Sequence, residues 1–266
     1  MKTKSIISRN QAALVAICLS ALMFGLEISS IPIILSDLEQ QLQGNFTDLQ
    51  WVVNIYTIAC TAVLMATGIL SDRYGRKRIF ILSVVVFGFA SLFCGLSQSV
   101  GALIFFRFIQ GMSGGAMLIC QISILSQQFR EERQRAKGFG YWGIAFGAGL
   151  GFGPLIGGAI AAALGWQWVF LIHVFISAVT ILFIVYGIQH VKAGVLPKLD
   201  IAGIMSLSLS VLFLTYYITQ GAETGFMDRL SMLALLLSFL CQGIFLLVPK
   251  SAANPAIDLS IFRNMN

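Results

Sequence analysis

The chain has 266 residues, 58% of them hydrophobic and only 11% charged, with a mean hydropathy of +0.87, a formal net charge of +6 and a pI near 9.2. One soluble core cannot hide that much apolar side chain, because a water-facing surface must be covered with polar groups, so a soluble globule is excluded. The positive charge does not gather on one face, and this excludes a nucleic-acid partner.

Eight apolar runs follow one another, at about 11–35, 51–71, 79–97, 101–127, 137–163, 167–188, 199–220 and 229–249. Each is close to the roughly 20 helical residues that cross a hydrocarbon layer about 30 Å thick. Strands of a β-barrel would be about 10 residues long and would alternate polar with apolar. These runs do not alternate, so the fold class is all-α integral membrane. The first run follows a basic start, as a secretory signal does, but it extends for about 25 residues without a small-residue cleavage site and should stay as a span. The five cysteines, Cys18, Cys60, Cys94, Cys120 and Cys241, lie inside apolar runs without CxxC spacing. They read as packing residues, and neither a disulfide framework nor a metal site is indicated.

On the first run Ser20, Phe24, Glu27 and Ser30 fall near one helical face. On the second, Asn54, Tyr56, Thr57 and Thr61 are candidates for polar lining, although only Asn54, Thr57 and Thr61 share a face. Between the second and third runs lies Gly68–Arg78, GILSDRYGRKR, with five charges between Asp72 and Arg78. Arg73, Arg76, Lys77 and Arg78 anchor orientation at a membrane end. Gly68 and Gly75 flank the turn, where a missing Cβ permits close approach or positive φ, and Asp72 can cap a helix or accept from the arginines. The fourth run carries a stripe of Arg107, Gly111, Gly114, Leu118 and Gln121. In the fifth, Gly143, Gly147, Gly151 and Gly149, Gly153, Gly157 form two rows at four-residue spacing, which predicts close approach of a neighbouring helix. Pro154 removes the bond to the Leu150 carbonyl and can bend that helix.

Membrane-buried charge is costly and is retained where it faces a cavity or a partner. Glu27 lies about eight residues before the outer end of its span and Arg107 about six residues into an inward-running one, which at 1.5 Å per residue puts them roughly 12 Å and 9 Å below the outer face. They share a depth and can pair, and both stripes are expected to line a central cavity. His173, about six residues into the sixth run, lies at comparable depth. It reads as a helix-packing hydrogen bonder, with protonation as the alternative. Of the 17 basic residues, all but Arg107 and Arg229 lie on one side of the eight-span arrangement. The positive-inside rule makes that side cytoplasmic, with both termini inside.

Four stretches resemble signatures of the major facilitator superfamily, in order and at matching spans. GILSDRYGRKR resembles its Gly-x-Leu-x-Asp-Arg-x-Gly-Arg-Lys-Arg loop between spans two and three. Leu103–Ala116, LIFFRFIQGMSGGA, resembles the fourth-span motif with its intramembrane arginine. Gly149–Gly158, GLGFGPLIGG, is similar to the Gly-x-x-x-Gly-Pro-x-x-Gly-Gly motif of antiporter branches. Trp166–Val174, WQWVFLIHV, resembles the start of span six in the fourteen-span drug:proton antiporters. The resemblance covers Glu27 to about Phe175. It implies a six-span N-terminal bundle over 1–190 built as 3+3 inverted repeats, two additional spans over 191–250, and a cytoplasmic lead-in over 251–266 to a C-terminal half absent from the chain. It further implies that Gly149, Gly153, Pro154, Gly157 and Gly158 shape the vestibule and limit leak. It implies too that Arg130 and Arg133 bond Asp72 in a cytoplasmic gate belonging to one conformational state. Where the family usually has Asp-x-Thr-x-x-Asn on the first span, this chain has Glu27, Ser29 and Pro32, and where it commonly has Asn on the sixth, this chain has His173.

The resulting expectation is proton-coupled efflux of drugs or other small lipophilic or cationic molecules across the cytoplasmic (inner) membrane. Glu27 either carries the coupling proton or attracts a cationic substrate, with Arg107 tuning it, because alternating access changes whether water and the guanidinium are near the carboxyl. The partners are then a small-molecule substrate, protons, the lipid bilayer and a missing or separately encoded C-terminal half, with no cofactor and no nucleic acid. Two other readings stay open: a nutrient or siderophore carrier, against which Gly149–Gly158 argues, and a non-transporting fragment or assembly partner. No Ser-His-Asp, HExxH, P-loop or strand-borne GxGxxG pattern points to an enzyme.

Overall fold

The computed structural model describes residues 8–189 and 201–247. The expected boundary at 190/191, the lead-in 251–266 and Lys2, Lys4, Lys192, Lys198, Lys250 and Arg263 lie outside the described residues. Every described element is helical: α1 (Arg9–Ser30), a 3₁₀ turn (Ile31–Ile34), α2 (Leu35–Leu42), α3 (Phe46–Tyr74), α4 (Arg76–Gly95), α5 (Val100–Gln128), α6 (Glu132–Leu164), α7 (Gln167–Gly187), α8 (Ile201–Thr224) and α9 (Arg229–Leu247). With α1 and α2 taken as one crossing, eight helices are long and apolar enough to span a membrane.

Local chemistry sets the helix ends. A helix leaves its first four N–H groups without partners, and a side-chain oxygen just before it can accept from one of them. Ser8 and Gln11 cap α1 reciprocally, and Asn45 and Asp48 do the same for α3. Between α3 and α4 a single residue, Gly75, turns the chain at φ 97°, its N–H closing α3 on the Ser71 carbonyl at 3.0 Å. The first crossing extends beyond the expected end near residue 35. Pro32 has no N–H to give the carbonyl one turn back, so the helix tightens into the 3₁₀ turn and resumes as α2. Leu38 then buries itself in an apolar cluster with Ile34, Leu49 and Trp166, while the Trp166 indole N–H donates to Gln41 Oε1 at 3.0 Å.

In the bundle α1 packs on α6 and α7, α5 on α3 and α4, and α4 on α7. The α1–α6 seam is backbone against backbone. A Cβ at Gly149 would lie 2.6 Å from the Leu22 carbonyl oxygen and 3.0 Å from Gly25 Cα, and one at Gly157 would lie 2.7 Å from Ser30 Cβ. Because only glycine fits, Ser29 Oγ reaches the Gly149 carbonyl at 3.0 Å and Ser30 Oγ the Gly153 carbonyl at 2.9 Å. The second row behaves differently: Gly143, Gly147 and Gly151 face open space, with nothing within 4 Å of a Cβ built there.

Helices α8 and α9 clasp each other through reciprocal Ser210 and Ser238 hydroxyl-to-carbonyl bonds of 3.1 and 2.9 Å. Helix α8 docks on α3, where Asn54 Nδ2 donates to Glu223 Oε1 at 2.9 Å, the Thr61 and Thr215 hydroxyls meet at 3.3 Å, and Trp51 packs on Tyr216.

Candidate functional site

Three helices each bring a buried charged or titratable side chain to a common point. Glu27 of α1, Arg107 of α5 and His173 of α7 are 0%, 1% and 1% exposed. Arg107 Nη1 donates to Glu27 Oε1. A buried guanidinium is tolerated only when its remaining donors also find acceptors. Here Nε donates to the Val52 carbonyl at 3.0 Å and Nη1 also to Gln110 Oε1 at 2.8 Å. The Arg107 Cζ lies 4.4 Å from the Tyr56 ring centroid and 5.9 Å from that of Phe170, so aromatic faces cover the cation. Gln110 passes the network on, donating to Ser91 Oγ at 2.8 Å, and Ser91 donates to the Phe87 carbonyl at 2.7 Å.

The other side of the carboxylate is less complete. His173 Nδ1 lies 3.1 Å from the Val169 carbonyl and 3.4 Å from Glu27 Oε2. Glu27 Oε2, His173 Nε2 and the Tyr56 hydroxyl are buried and find no hydrogen-bond partner among the described residues. The arrangement therefore combines a firmly held ion pair with proton acceptors left open beside it. Among the described residues no three His, Cys, Asp or Glu side chains come together to hold a metal.

Most of the residues expected to line a cavity are packed between helices of the described bundle. Ser20, Glu27 and Ser30 are buried on α1, and Gly111 and Gly114 of the α5 stripe close against Tyr56, a Cβ at Gly111 falling 2.3 Å from the Tyr56 carbonyl oxygen. Small residues there serve helix approach, which brings Arg107 within reach of Val52. Gln121 lies further along α5 and accepts from the Trp142 indole at 2.8 Å. Asn54 and Thr61 are taken up by α8, and Thr57 is exposed. Sequence reasoning missed Gln110 and Ser91. A neutral polar residue at helical spacing from Arg107 was the available signal.

At the Gly68–Arg78 motif Asp72 accepts from Arg76 Nε at 3.0 Å and Nη2 at 2.8 Å, and Arg76 Nη1 also donates to the Ser123 carbonyl at 3.0 Å. The expected bonds from Arg130 and Arg133 are absent among the described residues: Arg76 occupies Asp72, and both other arginines are exposed. Lys77 Nζ donates to the Val185 and Ile188 carbonyls, both at 2.7 Å, closing the free carbonyl end of α7. Arg73 Cζ lies 5.9 Å from the Tyr74 ring, and Gly68 stands inside α3 with open space where its Cβ would be. On α6, Gly149, Gly153 and Gly157 form the seam with α1, Gly158 lies against Ile33, and Pro154 stands inside a continuous helix.

An all-helical bundle with eight helices able to cross a membrane, and an acid and a guanidinium paired inside its apolar core, is a multi-pass membrane protein by class. The chain belongs to the Major Facilitator Superfamily, whose family model matches residues 17–254. It is 31% identical over 253 residues to the methylenomycin A resistance protein of Bacillus subtilis (strain 168), covering 95% of this chain and 54% of that protein. It is 34% identical over 226 residues to multidrug resistance protein 3 of the same organism, covering 83% and 43%. To the quinolone resistance protein NorB of Staphylococcus aureus (strain MRSA252) it is 30% identical over 258 residues, covering 96% and 55%. The chain thus spans about half the length of the curated relatives it matches.

Proposed function

We propose that the chain is the six-span N-terminal bundle and two additional spans of a proton-coupled exporter of small lipophilic or cationic drugs. In this reading it resides in the cytoplasmic membrane with the Asp72–Arg78 loop inside. The observation that carries the proposal is the Glu27–Arg107 pair, buried beside His173 with Glu27 Oε2 lacking a donor. A permanently paired structural ion bridge gains stability when both carboxylate oxygens are satisfied, whereas a site that exchanges a proton with water needs an open acceptor. The names of the three relatives, which speak of methylenomycin A, multidrug and quinolone resistance, support drugs as the substrates. Alternating access in this superfamily works by rocking two bundles about a midplane site, so the transporting unit includes a second bundle. The exposed Gly143, Gly147 and Gly151 row of α6, whose spacing lets helices approach closely, supports a surface that another helix covers.

The test is drug accumulation in everted membrane vesicles from cells expressing the complete reading frame, energised by an imposed pH gradient. Glu27→Gln is expected to abolish gradient-driven uptake while leaving binding of a neutral substrate intact. Uptake that follows the gradient equally in Glu27→Gln and wild type refutes the proposal.

A further inference from the structure

The coupling proton needs an address, and the geometry offers two: Glu27 Oε2 and His173 Nε2, both buried and without a donor among the described residues. The Val169 carbonyl, 3.1 Å from His173 Nδ1, can only accept, so the neutral ring carries its hydrogen on Nδ1 and presents a bare lone pair at Nε2. We propose that His173 is the group that takes the coupling proton, while Glu27 stays ionised between Arg107 and the imidazolium. The inference rests on the proton-coupled reading of this site.

The choice between the two addresses follows from charge. With the imidazole neutral, Glu27 and Arg107 cancel. A proton on Glu27 removes the counter-charge of Arg107 and leaves a buried guanidinium with two neutral acceptors, the Val52 carbonyl and Gln110, and the faces of Tyr56 and Phe170. Losing one partner of a buried pair is the costly case. A proton on His173 Nε2 instead places a second cation 3.4 Å from the open carboxylate oxygen and keeps the ion pair whole. Both forms carry the same net charge, and only the second keeps every charge next to an opposite one. Uptake is the addition of one proton from water to a nitrogen lone pair: an N–H bond forms and no bond of the protein breaks.

The neighbours of the ring do not compete for this role. From α1 it faces Glu27, and from α4 the Phe87 ring, edge-on at 5.8 Å between centroids. Arg107 of α5 reaches the same carboxylate, and α6 carries no acidic or basic residue from Gly138 to Leu164. The Tyr56 hydroxyl and the Cys94 thiol, which contacts Gln110 at 3.8 Å, are the remaining ionisable groups at the cluster.

The chain has two histidines, His173 and His190, so His190→Gln leaves one imidazole to observe. In ¹⁵N-histidine-labelled chain in lipid nanodiscs, the nitrogen shifts report tautomer and protonation directly. The expected result is a neutral ring with hydrogen on Nδ1 at high pH that becomes doubly protonated as the pH is lowered to 5. At a fixed pH in that range, Glu27→Gln is expected to lower the imidazolium fraction at least tenfold. A ring that stays neutral to pH 5 overturns the inference without needing any variant, and so does an imidazolium fraction unchanged by Glu27→Gln. If the ring stays neutral while Glu27→Gln still abolishes gradient-driven uptake, this inference falls and the proposed function stands. If the ring titrates and uptake ignores the gradient, the proposed function falls and takes this inference with it.

Discussion

Replacing Gly149 with Ala tests whether the α1–α6 seam holds the bundle together. The added Cβ would meet the Leu22 carbonyl oxygen at 2.6 Å, Leu26 N at 2.9 Å and Gly25 Cα at 3.0 Å. All three belong to backbone, so no side chain can rotate away. Restoring ordinary contact near 3.4 Å requires the two helices to separate by about 0.8 Å. That gap stretches the Ser29 and Ser30 hydroxyl bonds to the Gly149 and Gly153 carbonyls, now 3.0 and 2.9 Å, and loosens dispersion contacts along the seam. Overpacking of a tight interior costs about 1–3 kcal/mol. For a protein of this size that corresponds to a fall in Tm of about 2–10 °C. Gly151→Ala is the matched control, two residues along the same helix with nothing within 4 Å of its Cβ. It removes a glycine from a helix interior and should be neutral or stabilising, by up to about 1 kcal/mol. Thermal unfolding of the two variants in one detergent, followed by tryptophan fluorescence, gives the comparison. Equal melting temperatures for Gly149→Ala and Gly151→Ala would refute the reasoning.

Two further outcomes are expected. Arg107→Met leaves Glu27 as an uncompensated buried charge and should cost about 3–5 kcal/mol, whereas Glu27→Gln with Arg107→Met should recover much of the loss. A double variant no more stable than the single one, in the same thermal assay, would show that the two groups are not coupled. At Gly75 the φ of 97° is one that side chains rarely adopt, and Gly75→Ala should lower stability by about 1–3 kcal/mol. Gly68→Ala, by contrast, meets nothing within 4 Å and should be tolerated, as folded yield and Tm will report.

The eight crossings were legible because hydrocarbon thickness sets a length and a composition, and each run meets both. Glu27 and Arg107 were legible as partners because rise per residue puts them at one depth, and cost makes two isolated buried charges unlikely neighbours by accident. What surrounds them was not. Whether a stripe of small residues faces space or another backbone depends on which helix lies opposite, and periodicity carries no such information. Thus Gly111 and Gly114 close on Tyr56, while Gly143, Gly147 and Gly151, spaced in the same way, stand open. Asn54 and Thr61 share a face as expected, yet that face meets α8, more than 150 residues later in the chain. Gln110 and Ser91 were hidden for a different reason: neutral polar groups in apolar helices usually satisfy themselves on the preceding turn, as Ser83 does on the Phe80 carbonyl.

The α1–α6 seam also constrains movement. Two helices locked glycine to backbone, with serine hydroxyls bridging from one to carbonyls of the other, cannot slide along or roll over each other without breaking those bonds. Any tilt of α6 therefore drags Glu27 along as part of the same lever, and whatever displaces the open glycine row of α6 is mechanically connected to the acid.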